Sequence, residues 1–320
     1  MNTNSNIAQP FFVTNYEKLF DDIVTFTYNY IKKSNIKSVV MGISGGIDST
    51  VVAAILYEVV KKYYYNHPDK DFCTFRGFSM PTKTTNNHEY FISTLVGNAF
   101  CIHPAADGLY FKTVNIEDIA DKIKTFMSVN SDFSAYDDFA SVNAFRFGNI
   151  KARFRTMFLY DQAKHFNGMV VGTDNYTEYL LGFSTIGGDA LADYMPIQYL
   201  WKTEVYGLAN YLLKKYKNEE NWAAVNALNA SINIPPQDGL GISTNDMDQI
   251  GAKNYFDVDK ILWLYEYYKD KGDSHTYAYD YLCKEFGKCT VDKVISRREN
   301  NFKLDLPITF EDVINKSEYE

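Results

Sequence analysis

The sequence predicts an α/β protein: a parallel β-sheet held between helices as a three-layer sandwich, with a helical C-terminal extension. Three observations predict it. Apolar runs of strand length alternate with helical patterns from Val39 to Gly172, as in parallel sheets, whose neighbouring strands are joined by crossovers. The first run ends in a glycine and hydroxyl cluster, Gly42 to Thr50, and ligands of such folds sit beyond the carboxyl ends of the strands. No internal repeat, low-complexity tract or Pro/Gly/Ser linker divides the 320 residues, so a single domain over 1–320 is expected.

Val39 to Ile43 has the length and composition of a strand, and Thr50 to Val60 (TVVAAILYEVV) reads as an apolar-faced helix. Phe72 to Met80 (FCTFRGFSM) is the second strand, ended by Pro81, and His88 to Val96 carries the next helical pattern. Tyr110 to Ile116 is the third strand, with a helix over Glu117 to Met127. Phe147, Ile150, Phe154 and Phe158 recur at helical spacing and predict a core stripe, with Lys151, Arg153 and Arg155 at or beyond its edges as a cationic surface. Asn167-Gly168 stops that helix and introduces the fourth strand, Met169 to Gly172. Asn233 to Asn245 (NIPPQDGLGISTN) has no period and reads as a surface loop of the kind that closes over substrate.

The 46% apolar content is enough for a packed core. The formal charge of -8 argues against a general nucleic-acid surface, so an anionic substrate must meet local cations. The N-terminal stretch has no charged segment leading into an apolar one, and no run reaches about 18 uninterrupted apolar residues; a soluble cytoplasmic chain without membrane contact is expected. Cys73, Cys101, Cys283 and Cys289 lack Cys-x-x-Cys spacing and the histidines form no ligand pair, which argues against structural zinc or a disulfide framework and for free, buried thiols.

The segment Ser38 to Thr50 carries the most chemistry. Gly45 and Gly46 at a strand-to-helix turn permit positive φ and close backbone approach, and the unpaired N–H groups of the helix that follows attract an anion. Ser44, Ser49 and Thr50 add hydroxyl donors. Asp48 would repel phosphate unless a divalent cation lay between them, so Mg2+ is implied, shared between carboxylate and phosphate oxygens. With no lysine after the glycines this is not the G-x-x-x-x-G-K-[ST] loop, nor is it G-x-G-x-x-G. A second cluster follows the fourth strand: Thr173, placed to contact a nucleotide, then Asp174, Asn175 and Glu178, a helical turn on and placed to share the metal with Asp48, then Asp189 and Asp193. Singly, each has a plain reading as a helix cap, a solvated helix face or a loop residue.

Jointly the motifs are recognisable. S-G-G-x-D-S, here Ser44 to Ser49, resembles the loop of the ATP pyrophosphatases. Followed by Gly148-Asn149-Ile150-Lys151-Ala152-Arg153-Phe154-Arg155, by Gly172 to Glu178, and by Gly188-Asp189 with Asp193, it is similar to the NAD synthetases from Gly42 to about Lys202, with weaker echoes to Pro307. The chain lacks the extra glutaminase domain that some members carry and so resembles the ammonia-dependent form. The resemblance implies an adenine nucleotide alpha-hydrolase-like, Rossmann-like fold. It implies that deamido-NAD is activated by ATP and amidated by ammonia to give NAD, AMP and pyrophosphate, in a homodimer. It places ATP on Gly42, Ile43, Ser44, Gly45, Gly46, Ile47, Asp48, Ser49, Thr173 and Lys202, with Mg2+ on Asp48 and Glu178. Asn149, Arg153, Asp193 and Lys303 would hold deamido-NAD. Asp48 and Lys202 would act in the chemistry, and Asp189 is a candidate to orient ammonium or accept its proton.

Three positions depart from the family pattern. Ile186 stands where a lysine is usual, Pro235-Pro236-Gln237-Asp238 replaces P-T-A-D, and Phe302-Lys303 replaces His-Lys. They keep two alternatives open: another ATP pyrophosphatase, tRNA-modifying or an amidotransferase synthetase, and a nucleotide-binding relative that has lost the chemistry.

Overall fold

The computed structural model describes residues 13–67, 73–103, 106–130, 140–235, 246–269 and 271–305. In chain order the elements are α1 (Tyr16–Ser34), β1 (Ser38–Gly42), α2 (Ile47–Asn66), β2 (Thr74–Ser79), α3 (Asn87–Phe100), β3 (Ile102–His103), β4 (Ala106–Leu109), β5 (Phe111–Thr113), α4 (Glu117–Val129), α5 (Ala140–His165) and β6 (Gly168–Val170). Then come α6 (Tyr176–Leu181), α7 (Lys202–Asn218), α8 (Trp222–Ile232), α9 (Asp246–Ile250), α10 (Tyr255–Tyr268), α11 (Asp273–Phe286), α12 (Lys288–Glu299) and a short 3-10 turn, Phe302–Asp305.

Four strands pair in parallel in the order β5-β2-β1-β6, with Ser38 opposite both Thr74 and Gly168. The two-residue period of a strand sends alternate side chains to opposite faces. Val39, Met41, Phe75 and Met169 join one core with Ile31 of α1, Ile55 of α2, Val96 of α3, Leu208 of α7 and Leu228 of α8. Val40, Phe78 and Val170 join the other, under Leu159 and Ala163 of α5. Helices therefore cover both faces, as the alternation predicts. Burying a side chain such as Ile55 or Leu208, both 0% exposed, contributes about 1.5–3 kcal/mol. A separate core joins α6 to α9, α10, α11 and α12 through Leu181, Ile250, Val258, Leu262, Leu282 and Val294; this is the helical C-terminal extension.

Three expectations change. Leu159 and Ala163 of α5 belong to the sheet core, and of the expected stripe only Phe154 and Phe158 pack against that core, half-buried; Ala152 and Thr156 are buried on the same helix, and Phe147 and Ile150 are half-buried. The small Ala163 lets the helix lie close to the strands, and Phe158 meets Phe78 edge-on at 5.2 Å. The third strand is shorter than Tyr110 to Ile116, and an antiparallel hairpin, β3 with β4, precedes it. Its strands are too short for a two-residue period to declare itself. Cys73 and Cys101 are buried and unpaired, Cys283 is half-buried, and Cys289 is exposed rather than buried. Of the loop Asn233 to Asn245, residues 236–245 lie outside the described residues, as does Pro307. No helix among the described residues is long and apolar enough to cross a membrane.

Candidate active site

The chain leaves β1 to build β2 on one side and later returns to build β6 on the other, so the strand order reverses beside β1. In open parallel sheets this switch point opens a crevice at the carboxyl ends. The loop after β1 and the loop after β6 both enter it.

The first loop is folded by its own hydroxyls. Ser49 Oγ accepts from Gly45 N at 3.2 Å and from Ser44 Oγ at 2.9 Å, and donates to Gly46 O at 3.0 Å. Gly46 N donates to Ser44 Oγ at 3.2 Å. Gly45 has φ +87, and a Cβ there would lie 2.7 Å from Ser93 N of α3, so the position requires glycine for both conformation and space. Gly46 caps α2 without a side-chain hydrogen bond, which leaves first-turn N–H groups directed at the loop mouth, where an anion is favoured. Thr50 turns away from the mouth: its Oγ1 bonds Gly46 O and, at 2.7 Å, Ser231 Oγ of α8.

Asp48, on the first turn of α2, meets the second loop. Asn175 caps α6 by accepting from Glu178 N at 3.0 Å, while its Nδ2 donates to Asp48 Oδ1 at 2.8 Å. Lys202, at the start of α7 and only 3% exposed, donates to Asp48 Oδ2 at 2.5 Å and to Glu178 Oε1 at 2.7 Å. Burial alone would push the Lys202 amine down, but Asp48 and Glu178 more than reverse this and hold it well above the ordinary lysine range. Burial and then Asp48 push Glu178 up to about 7, against the pull of Lys202. Burial also holds Asp174 well above the usual carboxylate range, aided by Asp189, Glu178 and Asp48. Two carboxylates thus hold one ammonium, with Asp174 within its electrostatic reach, and the cluster is short of positive charge. Thr173 is half-buried beside them.

A magnesium ion fits this chemistry. Among the described residues no group of three or more His, Cys, Asp or Glu is arranged to hold a metal by protein ligands alone. Mg2+ in nucleotide sites needs only one or two carboxylates, the remaining ligands being phosphate oxygens and water. Asp48 and Glu178 supply two hard oxygen donors whose charge Lys202 only partly offsets.

The residues expected to hold the second substrate lie in and around the loop after α6. Asn149 Oδ1 accepts from Thr185 Oγ1 at 2.9 Å. Arg153 is exposed and donates from Nε to Ile186 O at 3.0 Å. Asp189 accepts from Thr185 N at 2.7 Å; burial pushes its carboxyl up, against the hydrogen bonds from Thr185. Lys303 Nζ donates to Gly182 O at 2.7 Å and to Ser184 O. Asp193 is tied to the sheet instead, accepting from Val170 N at 2.8 Å and from Tyr160 Oη at 3.3 Å. Arg155 turns inward and donates to Met80 O through Nε and Nη2, and Lys151 reaches Thr84 Oγ1 at 3.0 Å. Of the unusual residues, Ile186 is 40% exposed and Phe302 61% exposed.

Sequence reasoning missed a set of supporting residues. Asn175 appeared only as a motif letter, although Asn before a short helix is a capping signal. Arg297 lies over the Phe183 ring, 3.8 Å from its centroid, and donates to Leu181 O at 3.1 Å. Tyr255 of α10 places its ring 5.2 Å from Lys202 Nζ and donates to Asp246 Oδ2 at 2.7 Å. Asp259, on the same helix, takes hydrogen bonds from Thr177 and Thr203. No local pattern announces Arg297, Tyr255 or Asp259; each is an ordinary helix residue until the fold brings it to Lys202 or its neighbours, or to the loop after α6.

Comparison with known proteins points to one family. A family model described as NAD synthase matches residues 19–307. The NH(3)-dependent NAD(+) synthetase of Picrophilus torridus is 33% identical over 229 residues, covering 71% of this chain and 74% of that one. That of Methanocaldococcus jannaschii is 31% identical over 259 residues, covering 81% and 85%. The structure of an NH3-dependent NAD synthetase from Campylobacter jejuni, in complex with the nitrate ion, matches with a TM-score of 0.61 at 23% identity, covering 92% of this chain and 99% of that one. An NMN synthetase structure from Francisella tularensis matches with a TM-score of 0.64 at 19% identity, covering 92% and 98%. The two structural likenesses speak to the fold alone.

Proposed function

The chain belongs to the NAD synthase family, whose reaction is the ATP-dependent amidation of deamido-NAD by ammonia, and we propose that it performs this reaction with the constellation centred on Lys202. The single observation that carries the assignment of residues is the placing of Lys202 Nζ between Asp48 and Glu178, at the mouth of the phosphate-binding loop.

A carboxylate does not form an amide with ammonia at neutral pH, because its leaving group is too poor. Transfer of AMP from ATP to the nicotinate carboxylate creates an acyl adenylate and releases pyrophosphate; ammonia then displaces AMP. Negative charge grows on the β and γ phosphates as the bond to the α phosphate breaks. The loop Gly42 to Ser49 and the N-terminus of α2 hold those phosphates, and Lys202 offsets the growing charge from a fixed position. Mg2+, held by Asp48 and Glu178, would supply further charge neutralisation there. Thr173, at the end of β6, contacts the nucleotide. Asn149, Arg153, Asp193 and Lys303 hold deamido-NAD, with Asp189 the carboxylate that orients ammonium or takes its proton. The Asp193 carboxylate also fastens the β6 edge, accepting from Val170 N.

The assembly we propose is a homodimer in the cytoplasm, and the sheet unit and helical extension act as one domain, since Lys202 draws contacts from both. Light scattering at low concentration that found only a particle of about 37 kDa, the size of one 36.8 kDa chain, would reject the dimer.

The deciding experiment follows pyrophosphate, AMP and NAD with Mg-ATP and ammonium, with deamido-NAD present and then omitted. Release that requires deamido-NAD and equals the NAD formed is the expected result. Asp48→Asn should slow it by about 100-fold or more, in line with loss of a group that stabilises the departing phosphate. An Asp48→Asn enzyme at the wild-type rate would refute the metal assignment.

A further inference from the structure

Asp259 lies on α10, one turn beyond Tyr255, and is 0% exposed. Its carboxylate accepts three hydrogen bonds: Thr177 Oγ1 donates to Oδ1 at 2.5 Å, while Thr203 N and Thr203 Oγ1 donate to Oδ2 at 2.8 and 2.6 Å. Thr177 immediately precedes Glu178, and Thr203 immediately follows Lys202. The Thr177 hydroxyl also accepts from Lys202 N at 2.9 Å. One carboxylate of the helical extension therefore holds the residue beside each member of the charged pair, Thr177 by its hydroxyl and Thr203 by its N–H and hydroxyl.

Lys202 and Thr203 open α7, and the first N–H groups of a helix have no partner within it. The residue at the N-cap, Trp201, has a side chain that can only donate. Asp259 takes the capping role from another helix, receiving Thr203 N–H directly and Lys202 N–H through the Thr177 hydroxyl. A carboxylate at that point also meets the positive end of the α7 dipole. The task is demanding because a lysine side chain has four rotatable bonds and is confined here by its base: a small rotation of the first turn of α7 moves Nζ off the line between Asp48 Oδ2 and Glu178 Oε1. The same helix face presents the Tyr255 ring to Nζ, so α10 holds both ends of Lys202.

We propose that Asp259 is a positioning residue for adenylation, acting through Thr177 and Thr203 to hold Lys202 where it meets the departing pyrophosphate. Asp259 touches no substrate, and its whole effect runs through Lys202. The inference rests on the reading of Lys202 given above.

A double-mutant cycle tests it. AMP formation is followed in single turnover, with Mg-ATP, deamido-NAD and ammonium saturating, for the wild type, Lys202→Ala, Asp259→Asn and the double variant, and steady-state KM for deamido-NAD is measured alongside. Lys202→Ala is expected to slow AMP formation by about 100-fold or more. Asp259→Asn, which keeps the shape of the side chain, should slow it by about 10-fold or more through misplacement, with KM for deamido-NAD within about twofold. In the Lys202→Ala background Asp259→Asn should cost less than about twofold, since the group it positions is gone. An Asp259→Asn enzyme at the wild-type rate would overturn the proposal, as would a loss that persists in full without Lys202, because a merely structural role gives that result. If Asp259→Asn fails to fold, Thr177→Val removes one link of the same chain and should show the same absorption of its effect. Lys202→Ala at the wild-type rate would remove the reading of Lys202 itself, an outcome visible before any Asp259 variant is compared.

Discussion

Lys202 Nζ stands 2.5 Å from Asp48 Oδ2, although 154 positions separate them in the chain. The pair joins the start of α7 to the start of α2, and Glu178 of α6 completes it from the opposite side at 2.7 Å. Three helix N-termini thus converge on one ammonium group at the carboxyl end of the sheet. The convergence has consequences for stability as well as for chemistry.

Replacing Lys202 with methionine keeps the length of the side chain and deletes its charge. Asp48 and Glu178 then face each other across a site whose side chains are 15% and 17% exposed, with no cation between them. Removing one member of a buried ion pair costs about 3–5 kcal/mol. Denaturant unfolding of Lys202→Met without ligands should show a lower midpoint with an unchanged slope. Added Mg2+ should recover part of the loss, by binding the carboxylates that the lysine has vacated.

Gly45→Ala tests the phosphate loop. The backbone there has φ +87, and the new Cβ would fall 2.7 Å from Ser93 N and 3.1 Å from Glu89 O, both backbone atoms of α3 that cannot swing aside. A left-handed alanine alone costs about 1–2 kcal/mol. The clash adds to that, so a fall in stability of more than about 2 kcal/mol is expected. ATP binding measured by calorimetry should weaken more than deamido-NAD binding.

Asp259 predicts a pH signature. Burial pushes its carboxyl from 3.8 up to about 6, although the Thr177 and Thr203 hydrogen bonds pull it partway down. A carboxyl held higher in the folded than in the unfolded chain binds its proton more tightly when folded. Its contribution to stability is therefore complete below about pH 4 and is lost as the pH rises through about 6, a span worth about 3 kcal/mol. In unfolding curves between about pH 4 and 6 the wild type should lose stability relative to Asp259→Asn, and above that window the two should run parallel. A pH-independent difference would show that the Asp259 carboxyl titrates at its ordinary value.

Much of this was legible in the residues, for physical reasons that differ by element. The loop Gly42 to Ser49 could be read because its chemistry is local: glycine is demanded where the backbone takes positive φ against α3, and the serine hydroxyls that fold the loop are its own. The parallel sheet could be read because alternate side chains of β1 and β6 meet two cores and must be apolar on both sides. The stripe of α5 was only half legible: Phe154 and Phe158 do pack against the sheet core, but the residues fully buried in it are Leu159 and Ala163, and the small Ala163 lets helix and sheet approach.

By itself, then, the sequence determined the parallel sheet, the glycine and hydroxyl loop with Asp48, and, through the resemblance of its motifs, the family. Those signals lie in contiguous stretches where backbone conformation and side-chain period act over a few residues. Only the tertiary structure decided that Asn175 braces Asp48, that Lys202 is locked between two carboxylates, and that Asp259 of a distant helix holds the backbone around it. A hydrogen bond between residues far apart leaves no period in the chain, because its geometry is set by how the helices pack and not by what stands next to either residue.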